Sequence, residues 1–484
     1  VNVRSNVVFV LLVAMLGGLL VLAVTRDRTR HLAPAFHPEV VADAGGPRAD
    51  AHAAAEAGVE AGGAHEAKDA GSKLGRAMRV VAVGWEVLAP GIVANAGRNP
   101  GEGSAFTAAG LEVHLRESDD MSDVESQLAR GGADENGADV AIVPLPAFAA
   151  SFERLRALEP EVFLVVGWSR GHEAILGGKG ASLGKAKTGE EVRVATGHGD
   201  AATGFSLLAL DLAGMPPPRL RLVNDPKGAD FAAVTRPFAL ETARDAPNKL
   251  LLSTADATQA VPLVAVAPHG LVEAHGDALE AWSKVWLDGV SRLHKDVPAA
   301  ARLVAQEAGA PEAAALLERL GLADLATVRA NARALGLAGR SAVTIPALFQ
   351  RYLRLWREAG AVTVPAPETP PVTTLVLAAL ARRESSSGGP GSEPSASGGS
   401  NGSVLLAQRF ADPKVDEATL VEAIGFLAGI FDRATIRVST RAPALGKAAV
   451  ESAYGRYDVA QGRVVSGTTP TAGASALLEV IGGS

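Results

Sequence analysis

The sequence predicts an α/β fold. A body of parallel strands is expected, preceded by one N-terminal transmembrane helix and followed by a small α+β domain. Three observations carry this. An unbroken apolar run, Val7 to Val24, stands near the N-terminus. From Met78 onward, short continuous apolar runs alternate with amphipathic stretches, the pattern of strands covered on both faces with helices between them. Two tracts without apolar period separate an anchor from the body and the body from a tail. The expected boundaries are 1–30 for the anchor, 31–77 for a tether, 78–362 for the body, 363–403 for a second linker and 404–484 for the tail.

Composition narrows the function. The chain has 484 residues, 48% of them hydrophobic and 20% charged, which suits two to four globular domains rather than disorder. Its net charge of −7 argues against nucleic acid as a partner. Cysteine is absent, which excludes a disulfide framework, a zinc ribbon, an iron–sulfur cluster and a thiol nucleophile.

The elements follow in order. Val7 to Val24 is flanked by Arg4 and by Arg26, Arg28 and Arg30. Its length suits a spanning helix better than the core of a cleaved signal, so an uncleaved signal anchor is expected. The arginines after it would by themselves keep the body in the cytoplasm. Residues 31–77 are rich in Ala, Gly, His and Glu and read as a flexible tether, as does the Ser/Gly-rich 384–403. MRVVAVGW from Met78, LEVHL from Leu111, ADVAIV from Ala138, VFLVV from Val162, Val192–Ala195 and Leu220–Val223 read as strands. SDVESQLAR from Ser122, with Ser122 and Glu125 as a capping box, and GFSLLALDL from Gly204 read as intervening helices. Beyond Leu271 the apolar period becomes helical. In such sheets ligands collect at the carboxyl ends of strands.

The strings GWEVLAPGIVANAG, ADVAIVPLPAFAA and FLVVGWSRGHEAIL, followed in order by VRVATGHGDAATGFSLLAL, GADFAAVTRPF and LLLSTADATQAVPLVAVAP, carry a resemblance. Over about Met78 to Gly360 the chain resembles type 2 periplasmic solute-binding proteins of ABC importers, in their nitrate, sulfonate and phosphate branch. That implies two α/β lobes joined by two crossings, expected near Val162–Trp168 and Val261–Ala267. Lobe two would span about Gly171 to Ala260. It implies capture of a small solute, with an anion as one candidate, delivery to an ABC permease, and a body on the periplasmic side of the inner membrane of a Gram-negative bacterium. A second reading stands beside it: a non-transporting receptor or scaffold that keeps the binding-protein fold.

The expected ligand-binding residues are Trp85, Glu86, Pro144, Ser169, Arg170, Thr196, Gly197, Thr203, Thr235 and Arg236. Arg170 could hold an oxyanion in a bidentate way, or simply make a surface ion pair. The Gly-rich loop from Thr196 to Thr203 could offer amides to an anion, or be an ordinary turn with Asp200 or Thr203 as cap. Trp85 could stack on a solute, and Glu86 suits a cation. Where the family has a Glu-Pro pair, this chain has Arg236-Pro237. No cofactor, metal site or catalytic residue is expected. His198 and Asp200 have no G-x-S-x-G nucleophile, no H-E-x-x-H occurs, and GGKGASLGKA fails the phosphate-loop pattern at Lys179 and Ala186.

In the tail, DEATLVEAIGFLAGIFDRA predicts a helix at about Asp416 to Ile430. Strands are expected at Ile436–Ser439 and Ala476–Ile481. This order resembles the OmpA-like domain, which in its family binds peptidoglycan. The residues that grip there are missing: Pro443 stands at the matching Asp, and Tyr457 to Gly462 has no Arg at the matching place. A degenerate OmpA-like domain without peptidoglycan affinity is expected.

Overall fold

The computed structural model describes residues 73–84, 86–118, 120–178, 181–183, 191–196, 200–225, 227–235, 249–308, 323–385, 402–468, 470 and 473–482. The expected anchor and first tether lie outside the described residues. Among the described residues no helix is long and apolar enough to cross a membrane.

Lobe one opens with β1 (Met78–Val83), α1 (Ala89–Asn95), α2 (Ala105–Ala108), β2 (Val113–Ser118), α3 (Met121–Arg130), β3 (Val140–Pro144), α4 (Leu145–Leu155) and β4 (Pro160–Ser169). Lobe two holds β5 (Glu173–Gly177), β6 (Val192–Ala195), α5 (Ala201–Leu212), β7 (Leu220–Val223), β8 (Phe231–Thr235) and β9 (Lys249–Ser253). The chain then returns to lobe one through β10 (Pro262–Pro268), α6 (His269–Ala274), α7 (Gly276–Lys295), α8 (Val297–Ala308), β11 (Ala323–Leu325), α9 (Val328–Ala334), α10 (Ile345–Glu358) and α11 (Leu375–Ser385).

The lobe-one sheet runs β2-β1-β3-β10-β4-β11, and the lobe-two sheet runs β7-β6-β8-β5-β9. The first three strands of each are parallel. The fourth is antiparallel to both neighbours, and in each sheet it is the strand that has just arrived from the other lobe. The continuous apolar runs behave as expected. Val80, Val81, Ala82 and residues 162–166 are at most 1% exposed, because helices cover both faces of the sheet.

Several expectations need correction. Val162–Trp168 and Val261–Ala267 are not the crossings. They lie in or beside β4 and β10, antiparallel neighbours in one sheet, with Pro262 opposite Trp168. The chain passes between sheets at 170–172 and 254–261. The apolar runs are sheet interior, and the passages are the shorter mixed segments next to them. The strand expected from Leu111 begins at Val113. Ser122 does not cap α3. Asp120 does, accepting from the Ser122 N–H at 2.9 Å. Glu125 instead faces α4, where Arg154 donates to it twice at 2.6 Å. The linker expected from residue 363 begins later. Thr373 N–H donates to Val162 O at 2.9 Å, and Leu377 is fully buried on lobe one.

At the far end of β10, His269 Nδ1 lies 2.7 Å from Glu161 Oε1 on β4. The hydrogen bond to that carboxylate, then its charge, raises the imidazole pKa above the ordinary value. The sign follows: a raised folded pKa gives stability that is full below the ordinary imidazole pKa and fades as pH rises through the raised one. An NMR titration should find His269 charged at pH values where a free imidazole is neutral, and Glu161→Gln should bring it back. A His269 titration unmoved by Glu161→Gln would contradict the pairing.

The tail holds β12 (Val404–Phe410), α12 (Glu417–Ile430), β13 (Thr435–Thr440), α13 (Pro443–Arg456), β14 (Val464–Ser466) and β15 (Ala476–Ile481) in the sheet order β12-β15-β13-β14. The expected helix and both expected strands form, and Asp416 caps α12 through the Thr419 N–H at 2.9 Å. Arg463, 7% exposed, donates to the carbonyls of Ala428, Phe431 and Ala434, closing the end of α12.

Candidate functional site

The carboxyl ends of β3 and β6 come together at one seam through the helices that follow them. Helix α4 follows β3, and α5 follows β6. Their first turns touch: a Cβ on Gly204 would lie 2.5 Å from Pro146 Cβ and 3.3 Å from the Trp356 ring. Only glycine allows this approach. Trp356 on α10 is buried and donates from Nε1 to Pro146 O at 2.9 Å. Helix α10 then reaches lobe two, where Arg351 and Arg354 meet Asp211 of α5 at 2.8 and 3.1 Å.

The expected residues distribute around this seam. Glu86 is 7% exposed, in a single 3-10 turn after β1. Gly84 has φ +84°, and a Cβ there would lie 2.8 Å from Glu86 Oε2, so the carboxylate folds back over the strand end. Pro144 ends β3 and starts α4. Thr196 is half-buried, with its N–H on Val223 O at 3.0 Å. Thr203 is fully buried, and its N–H donates to Asp200 Oδ1 at 2.7 Å. The first turn of α5 is therefore capped by its own carboxylate, which disfavours an anion there. Thr235 pairs with Glu173 across β8 and β5. Trp85, Gly197 and Arg236 lie outside the described residues.

Arg170 makes the ion pair that is the second of its two readings. Its guanidinium is paired with Asp324 of β11, which the β11–β4 pairing brings beside the crossing. A guanidinium already neutralised by a carboxylate offers little to an oxyanion.

Ser169 is buried in a cluster that the sequence reading missed. Its hydroxyl donates to the Glu173 carboxylate and lies 3.2 Å from Thr254 Oγ1. Thr254 Oγ1 accepts the Gly171 N–H at 2.7 Å and donates to Glu173 Oε2 at 3.2 Å. Glu173 is 2% exposed and Thr254 fully buried. The group thus ties the outward crossing to the start of the return crossing. Tyr352 of α10 holds the end of that return, donating to Ala260 O at 2.7 Å. Burial, then the charge of Glu173, pushes the Tyr352 phenol pKa well up, so it stays a donor. A lone carboxylate inside the apolar string EAIL was the one available signal for Glu173.

Two sheets of one strand order, each completed by the strand arriving from the other, make the periplasmic-binding-protein fold. The arrangement suits enclosure of a small molecule between lobes that turn on the two crossings. Among the described residues no group of three or more His, Asp or Glu is placed to hold a metal ion.

No family model and no curated protein matches the chain. Solved structures do. The zinc-bound ligand-binding component of an ABC-type import system from Staphylococcus aureus is 13% identical, with a TM-score of 0.43, over 63% of this chain and 98% of that one. The aliphatic sulphonate-binding protein SsuA from Escherichia coli is 15% identical, with a TM-score of 0.43, over 60% and 89%. The nitrate-binding protein NrtA from Synechocystis PCC 6803 is 12% identical, with a TM-score of 0.41, over 63% and 85%. At these values the likeness decides nothing about solute. The fold assignment rests on the strand order and the two crossings.

Proposed function

We propose that the chain is a solute-binding protein of ABC-importer type, held at the inner membrane by its N-terminal segment with the body in the periplasm. The observation that carries this reading is the pair of exchanged sheets whose strand ends meet at one seam. The anchor follows from Val7–Val24 alone. The strand order β12-β15-β13-β14, with two helices, supports an OmpA-like arrangement for the tail, and the absence of its gripping Asp and Arg supports no hold on peptidoglycan. Arg170 is engaged by Asp324, Asp200 caps α5, and Glu86 sits at a strand end. The Arg170–Asp324 pair and the Asp200 cap therefore weigh against an oxyanion.

A thermal-shift screen of the full chain against small anions, amines and neutral solutes should find one stabilising class. At a hundredfold over its Kd such a ligand adds about 2.7 kcal/mol, and Glu86→Gln should weaken the effect of an amine. A melt that no class moves sinks the reading. The receptor or scaffold alternative is favoured by one observation, the ion pairs from α10 to Asp211 that bind the lobes together. A permease that co-purifies with the chain and is stimulated by it would decide against that alternative.

A further inference from the structure

The tail domain touches the parts of the body that must move if the lobes move. On the return crossing, the Thr258 hydroxyl donates to Asp432 of the tail, and Gln259 N–H donates to Ile430 O at 3.1 Å. Gln259 Nε2 adds a contact to Asp432 Oδ2 at 3.4 Å. On lobe one, the Arg340 backbone N–H donates to Asp458 Oδ2 at 2.7 Å, its Nε to Oδ1 at 3.1 Å and its Nη1 to Gly455 O at 2.6 Å. Val343 sits so close to Gly429 that a Cβ there would be 2.5 Å from Val343 Cγ2. On the side of lobe two, β12 lies against α5. Arg351, which joins α10 to Asp211 of lobe two at 2.8 Å, also stacks over Phe426 of the tail at 4.2 Å.

We infer that the tail is an intramolecular clasp that sets the angle between the lobes. Hinges work by letting a few crossing residues change φ and ψ. Thr258 and Gln259 cannot do so while bound to a tail that has its own sheet, is fixed to lobe one and is in contact with lobe two. Turning the lobes then breaks these bonds or carries the tail away from Arg340. The loop 457–462, where the OmpA-like family holds its ligand, is here partly used on the body through Asp458. The tail's partner is thus the chain's own hinge. The inference deepens the two-lobed binding role proposed above, but it concerns lobe motion and needs no solute.

The absence of cysteine allows a direct test on the full chain. Ala129→Cys in lobe one and Lys227→Cys in lobe two, both exposed positions, carry spin labels for interlobe distances. The unaltered interface should give one narrow distribution. Arg340→Glu with Thr258→Asp sets carboxylates against Asp458 and Asp432, and should at least double the width or add a second distance. Amide exchange over 254–261 should rise on the order of tenfold, as expected for lost charge-assisted hydrogen bonds, while β15 stays protected. If that pair does not fold, Arg340→Ala with Thr258→Val serves the same test. An unchanged distance distribution overturns the clasp. A chain that captures no solute but widens on release of the tail would keep the clasp and refute only the binding role.

Discussion

Replacing Trp356 with alanine is expected to lower the stability of the body by about 3–5 kcal/mol, the range for removing a large buried aromatic. The ring is 1% exposed and fills the junction of α4, α5 and α10. Its loss leaves a cavity that cannot close, because Gly204 and Pro146 are already in contact beside it. It also removes the Nε1–H donor to Pro146 O at 2.9 Å. Trp356→Phe separates the two effects: it keeps most of the volume and should cost about 1 kcal/mol for the hydrogen bond. Denaturant melts followed by circular dichroism give both numbers. Equal midpoints for Trp356→Ala and the wild type would mean that α10 does not hold the lobes together at this point.

Thr254→Val should lower stability by about 3 kcal/mol, although the side chains have nearly the same shape. The Thr254 hydroxyl is fully buried and accepts the Gly171 N–H at 2.7 Å while donating to Glu173 at 3.2 Å. Valine would take its acceptor from the part-buried Gly171 amide and one donor from the buried Glu173 carboxylate, each worth about 1–3 kcal/mol. Because the bond joins the outward crossing to the start of the return, the Gly171 amide should also exchange faster. A melt within experimental error of wild type, with Gly171 still protected, would show that the two crossings are not tied through this hydroxyl.

The legible part of the fold follows from local pattern. Continuous apolar runs in β1, β3 and β4 are legible because both faces of those strands are buried along most of their length, and polar residues such as Arg79 and Glu161 stand only near their ends. Helix α12 is legible because Asp416 and Thr419 form a cap from residues three apart, followed by a long apolar stretch. The strand ends follow from the same runs, which is why the places of Glu86, Pro144 and Thr196 just at or beyond β1, β3 and β6 were legible.

The partners of the polar groups were not legible. Arg170 reads either as an oxyanion holder or as an ion-pair partner until β11 brings Asp324, 154 residues away, beside it. Ser122 reads as a cap until the backbone gives that place to Asp120. Glu173 and Thr254 stand 81 residues apart and carry no common motif. Thr258 and Asp432 are separated by 174 residues. A hydrogen bond between such groups leaves no periodic trace, because it needs one donor and one acceptor at one point in space. By itself, then, the sequence determined the apolar strands β1, β3, β4, β6, β7, β13 and β15 and helices such as α3, α5 and α12, since apolar burial imposes a local period. Only the tertiary structure decided where the crossings lie, which charges are already neutralised and where the tail docks. Those depend on single polar contacts between distant segments, formed only once the apolar elements have packed.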